Sequence, residues 1–309
     1  MTLLSKLGYG SGHCGMLSHT AATMSYRSLF WRSADGLRLH ARDYAGAAEK
    51  LPVICIPGLT RNSADFHELA QRMSAGGRRV LALDLRGRAR SEYGARSRYR
   101  PPVYADDVLA LMRDQSIPRA VFVGTSLGVL VTMTLASKRP GAVAAAVLND
   151  AGPEVSDAAL QRIAAYAGTP MPPMTRDEAA AHVQRIAQSI YPRYGRAEFE
   201  AAVDRMFRQR DDGLWVLDYD PAIVRTLNPW MLKLLRPLIW RAYRKLARNR
   251  PILLLRGETS DILARDLAVR MAQVSPGVLL VEIPEVGHAP SLSEPEARDA
   301  IDDFLARAD

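Results

Sequence analysis

The residues best suited to chemistry lie in Gly124-Thr125-Ser126-Leu127-Gly128. An apolar run, Val121 to Val123, leads into this stretch, and a helix-compatible run from Val129 to Lys138 leaves it. Strand, sharp turn and helix with a serine at the apex is an arrangement that presents a nucleophile. A turn this tight has no room for side chains on either flank of the serine, which is the steric work of the two glycines. A serine hydroxyl attacks well only if a base removes its proton. Of six histidines, His288 in Val286-Gly287-His288-Ala289-Pro290 follows the last strand-like run and is the candidate base. His13 and His19 lie near the amino terminus, His40 in a hairpin, His67 on the first helix and His182 on a later one. The imidazole in turn needs a carboxylate to hold its tautomer. Asp261, after the penultimate strand in Arg256-Gly257-Glu258-Thr259-Ser260-Asp261, is the candidate acid. Glu258, closer to its strand, is expected to point elsewhere.

The elements that must position these groups alternate. Arg27 to Trp31 and Leu37 to Tyr44 read as a hairpin about Ser33-Ala34-Asp35-Gly36. Leu51 to Ile56 and Arg79 to Leu83 read as strands buried on both faces and Val143 to Leu148 as a further strand, with helices at Phe66 to Ala75 and Val103 to Gln115. Strands resume at Ile252 to Leu255 and Val278 to Ile283, and a helix closes the chain from Pro295 to Ala306. This rhythm predicts an α/β fold with a mostly parallel, doubly covered sheet, built from residues 25–152 and 251–309. Residues 153–250 read as helices apart from Leu214 to Leu217. A capping box at Thr175 to Glu178 opens one helix, Glu198 to Gln209 makes another, and Pro229 to Arg248 a third, bent at Pro237. A helical insertion between two strands is expected to cap the carboxyl edge of the sheet, where such sheets bind ligands.

Composition excludes several classes. With 309 residues, 48% hydrophobic and 24% charged, the chain has the balance of an ordinary globular protein. The net charge of +8 comes from scattered arginines, which argues against specific nucleic-acid binding. No apolar run approaches the roughly 18 residues that span a bilayer, so stable membrane insertion is not expected. Cys14 and Cys55 read as a reduced pair in a cytoplasmic protein. Residues 1–24 read as a disordered tail without a signal peptide, and Met24 is an alternative start. Gly10-Ser11-Gly12-His13-Cys14-Gly15 matches a dinucleotide fingerprint but lacks the strand and helix that would make it a cofactor loop. No metal-ligand spacing is present, so neither metal nor cofactor is expected.

From about residue 28 to 150 and 251 to 306 the chain resembles α/β-hydrolase-fold serine hydrolases. The order Ser126, Asp261, His288 matches theirs. Asp84-Leu85-Arg86-Gly87-Arg88-Ala89-Arg90-Ser91 is similar to the family's segment after the fourth strand, and Pro57-Gly58-Leu59 to its oxyanion loop. Pro57 departs from a frequent histidine, Ala89 from a glycine, and Val129 from a second glycine, the last narrowing the pocket floor. The resemblance implies a Ser126–His288–Asp261 triad, with the backbone N–H groups of Leu59 and Leu127 as oxyanion hole. Some family members carry the acid at the position of Asp150. The implied reaction is hydrolysis of carboxylic esters or lactones of a small to medium apolar substrate, by a monomer or homodimer. Thioesterase, acyltransferase and carbon–carbon hydrolase chemistry are alternatives on the same triad, and a ligand-binding receptor is one of a different class. A serine in place of aspartate argues against haloalkane dehalogenases and epoxide hydrolases. The basic helix from Pro229 is expected to lay an apolar face over Ser126 and a solvated basic face outward. The alternative is an interfacial lid touching anionic lipid, and ordinary saturation kinetics is the expectation.

Overall fold

Strands that are largely apolar along their length must be covered on both faces, and four runs here, Val53–Ile56, Val80–Asp84, Val143–Asn149 and Ile252–Gly257, are buried at every position. The computed structural model describes residues 26–47, 49–167, 171–226 and 229–308. Its eight-stranded sheet is formed by β1 (Arg27–Arg32), β2 (Arg38–Tyr44), β3 (Val53–Ile56), β4 (Val80–Asp84), β5 (Ala120–Thr125), β6 (Val143–Asn149), β9 (Ile252–Gly257) and β10 (Val278–Ile283). Their spatial order is β1-β2-β4-β3-β5-β6-β9-β10. Pairing is antiparallel for β1 with β2 and β2 with β4, and parallel throughout the rest. This is the mostly parallel, doubly covered sheet that the alternating pattern predicts. On one face, α2 (Pro101–Asp114), α3 (Leu127–Lys138) and α8 (Arg265–Ala272) pack on Ile54, Phe122 and Leu254. On the other, α1 (His67–Ala75) and α9 (Pro295–Ala306) pack on Cys55, Val123 and Leu255. Strand β5 is therefore central, and its carboxyl end is the natural place for a site.

Between β6 and β9 the chain forms α4 (Asp157–Ala167), α5 (Arg176–Ala187), α6 (Arg196–Met206), β7 (Phe207–Gln209), β8 (Trp215–Leu217) and α7 (Pro229–Ala247). Helix α5 opens on the capping box of Thr175 and Glu178. Helices α5 and α6 close on each other through Val183, Phe199 and Val203, a small core of their own. The helix expected over Glu198 to Gln209 stops at Met206, because Phe207–Gln209 pairs with Trp215–Leu217 in a hairpin. Three-residue strands are too short to show a period. The same holds for α8, whose eight residues span barely two turns. The tail expected over residues 1–24, with Cys14, lies outside the described residues; Cys55 is buried in β3. No helix among the described residues is long and apolar enough to cross a membrane.

One buried ion cluster locks the loop after β4. Arg86 donates to both oxygens of Asp107 on α2, at 2.7 and 2.6 Å, and to both oxygens of Asp35 in the β1–β2 turn, at 2.8 and 2.9 Å. The Arg86 side chain is 1% exposed and Asp107 4%. Removing one partner of a buried pair leaves an uncompensated charge. Asp107→Ala should therefore lower stability by about 3 kcal/mol, read as a reduced urea midpoint with an unchanged slope.

Candidate active site

The turn after β5 is set by backbone contact. A Cβ on Gly128 would stand 2.1 Å from the carbonyl oxygen of Ile56 in β3, and one on Gly124 would stand 2.6 Å from the Gly128 carbonyl group. Any side chain there would push α3 off the sheet. Ser126 between them has φ 53°, a conformation L residues rarely adopt, and its N–H donates to Asn149 at 3.0 Å. Surrounding structure must hold a residue in so sparse a region, which is a mark of functional turns.

His288 reaches this serine from the loop after β10. Its Nε2 lies 2.9 Å from Ser126 Oγ, and its Nδ1 lies 2.8 Å from Oδ2 of Asp150. The carboxylate holds the ring proton on Nδ1, leaving Nε2 to accept from the serine hydroxyl. Asp150 is wholly buried, with three donors on its carboxylate: Gly257 N–H to Oδ1 at 3.0 Å, Ser260 O–H to Oδ2 at 2.6 Å, and the histidine. A buried carboxylate without such partners would carry a large desolvation cost. The histidine loop is tied down by Asn149, which donates to the carbonyl of Pro290 at 2.8 Å, and by Tyr191 O–H, which donates to that of Ala289 at 2.6 Å. Burial pushes the Tyr191 phenol up, so it remains a donor.

The structure brings Ser126 and His288 together but not Asp261, and this corrects the choice of acid. Asp261 accepts from Arg162 of α4 at 2.8 and 2.7 Å and is half-exposed. The cause is the turn after β9. Ser260 N–H donates to Gly257 at 3.0 Å, which folds Ser260 inward against Asp150 and leaves the next residue facing the insert. Glu258 does point elsewhere, accepting from the Glu285 N–H at 2.8 Å.

On the other side of the serine, a Cβ on Gly58 would make ordinary van der Waals contact with Ser126 Cβ, at 3.7 Å. This sets the Gly58–Leu59 peptide beside the nucleophile. Leu127 opens α3, and an N–H in the first turn of a helix has no acceptor within it. Arg88, fully buried, donates from Nε to the carbonyl of Leu59 at 2.9 Å and from Nη1 to Arg86 O and Tyr104 Oη. It braces the loop of Gly58 and Leu59, a role nothing in its sequence position announced. The neighbouring Ala89 has φ 44°, in the left-handed region that favours glycine. Val129 does not narrow the pocket floor: it is buried in the core behind β5 and lines no part of the cavity.

The cavity over Ser126 has a volume of about 570 Å3. Its far wall comes from α5, α6 and the segment between them, including Val183, Ile190, Tyr194 and Phe199. Helix α7 contributes none of the lining residues, so the expectation that its apolar face lies over Ser126 is overturned. Its last turns pack Tyr243, Leu246 and Ala247 into the main core instead. A second histidine–carboxylate pair, His40 Nδ1 to Asp84 Oδ2 at 2.6 Å, is sealed within the sheet, where Asp84 also accepts from the Ser63 N–H. That pair joins β2 to the end of β4. Burial pushes the Cys55 thiol up, which suits packing and not nucleophilic attack. Among the described residues no group of three or more His, Cys, Asp or Glu could hold a metal ion.

Residues 52–295 match the family model described as the alpha/beta hydrolase fold. The chain is 32% identical over 265 residues to a 3-hydroxybutyrate-oligomer hydrolase from Cupriavidus necator, covering 84% of this chain and 89% of that one. It is 28% identical to a 2-(acetamidomethylene)succinate hydrolase from Mesorhizobium japonicum, over 80% and 85% of the two chains. The crystal structure of an alpha/beta hydrolase from Novosphingobium aromaticivorans superposes with a TM-score of 0.84 at 42% identity, covering 92% of this chain and 99% of that one.

The geometry separates the two aspartates experimentally. A fluorophosphonate should label Ser126 of the wild type and of Asp261→Asn at similar rates. In Asp150→Asn the rate should fall by a factor of about 10^3 or more, since the imidazole loses its orientation and counter-charge. Peptide mapping of the labelled chain checks the position.

Proposed function

This chain belongs to the α/β hydrolase family and is a hydrolase, and we propose that it cleaves carboxylic esters through an acyl-enzyme on Ser126. The observation that carries the reading is the unbroken chain of hydrogen bonds from Ser126 through His288 to the buried Asp150, at the edge of a cavity. Ser126 Oγ attacks the carbonyl carbon while His288 Nε2 takes its proton, and Asp150 stabilises the imidazolium that forms. The oxyanion is received by the N–H groups of Leu59 and Leu127. Each such donor contributes on the order of 3 kcal/mol to the transition state. His288 then protonates the leaving alcohol, and the same histidine activates the water that hydrolyses the acyl-enzyme.

The cavity fits this reading, being of the size that encloses small to medium ligands. Apolar side chains of α5 and α6 face the serine across it, which favours an apolar acyl or alcohol group. The description of the Cupriavidus necator relative makes a short oligoester of a hydroxy acid the first natural substrate class to try. Ser126→Ala should abolish hydrolysis of p-nitrophenyl butyrate while leaving the melting temperature within a few degrees of wild type. A chain that binds such esters with at most one slow turnover would instead be a receptor. Run beside the matching thioester, the same assay decides between esterase and thioesterase.

A further inference from the structure

Helix α7 points its apolar residues the wrong way for a cavity wall. Among the described residues seven large apolar side chains are exposed, and four of them, Trp230 (79%), Met231 (54%), Leu234 (72%) and Leu238 (60%), occupy the first half of this helix. Trp230, Leu234 and Leu238 are spaced by four, so they form one ridge, with Met231 beside it. A patch this concentrated on a globular surface marks a contact site. Further along stand Arg241 on the same face and Arg248 just past the end of the helix, both exposed, while Lys245 donates to the carbonyl of Ser137 at 2.6 Å. The helix contains no acidic residue. The carboxylates nearest it are already engaged at its flank: Asp157 by Lys233, and Glu154 by Arg236, Arg270 and the Trp240 N–H.

We propose that the outward face of α7 adsorbs to an anionic phospholipid surface, with Trp230, Met231, Leu234 and Leu238 entering the headgroup boundary and Arg241 and Arg248 lying on the phosphates. An apolar ridge continued by cations is the pattern of a helix lying in the plane of an interface. Charge decides the occupant. An antiparallel second copy would cover the ridge with its own ridge but would bring no carboxylate of α7 to the cations. An anionic surface complements both halves at once. Because α7 lines no part of the cavity, adsorption leaves the site over Ser126 unobstructed by the contacting residues themselves.

The full chain should co-sediment with vesicles of equal parts phosphatidylglycerol and phosphatidylcholine at low salt, and weakly with phosphatidylcholine alone. Arg241→Glu with Arg248→Glu should reduce partitioning at least about twenty-fold, from roughly fivefold per cation near the surface. Leu234→Asp with Leu238→Asp should abolish it, and unaltered melting temperatures will show that both variants fold. No binding to the anionic vesicles, or binding unchanged by either pair of substitutions, overturns the proposal. So does a dimer in sedimentation velocity that Leu234→Asp with Leu238→Asp converts to monomer, since a second copy would then be the occupant.

Discussion

The site rests on how closely the backbone of α3 approaches β3 and β5. Two glycines permit it, and the distances of 2.1 and 2.6 Å that a Cβ would meet leave no tolerance. The close approach holds Ser126 at a positive φ at the mouth of α3. Everything else at the site is brought to that fixed point. Gly58 lies against the serine from β3, Asn149 accepts its N–H from β6, and His288 reaches it from beyond β10.

The serine turn and the histidine loop were legible in the sequence because each is a local pattern. Gly-x-Ser-x-Gly between an apolar strand and a helix states its own geometry. The histidine loop follows a strand and is rich in small, shape-setting residues. The acid was not legible in the same way. Asp150 and Asp261 both follow sheet strands, and the choice turns on which side chain the bend after β9 sends inward. That bend sends Ser260, whose hydroxyl supports Asp150, and gives Asp261 to Arg162. Neither partner lies near the aspartates in the chain, 110 and 99 residues away respectively. A contact made only by folding leaves no periodic trace. Arg88 belongs to the same class, since its hold on the Leu59 carbonyl spans 29 residues.

Helix α7 shows the complementary limit. Its mixture of apolar and basic residues is plain in the sequence, but which face turns inward is not. Tyr243, Leu246 and Ala247 supply enough apolar surface to anchor its second half to the core, which fixes the rotation of the whole helix. Trp230, Leu234 and Leu238 are then carried to the outside. The wall of the cavity falls instead to α5 and α6, whose own small core lets them stand over the serine as a unit. The insert thus divides its work: one pair of helices shapes the cavity, and α7 presents a surface.

The central claim is that Ser126, driven by His288 and Asp150, becomes covalently acylated during turnover. Rapid acid quenching of the enzyme mixed with p-nitrophenyl butyrate, followed by mass spectrometry of the intact chain and its peptides, tests it most directly. The account predicts a mass increase of one butyryl group, carried on the peptide containing Ser126, that forms within the first turnover and decays as substrate is exhausted. Turnover with no adduct at any time, or an adduct on another residue, would contradict it.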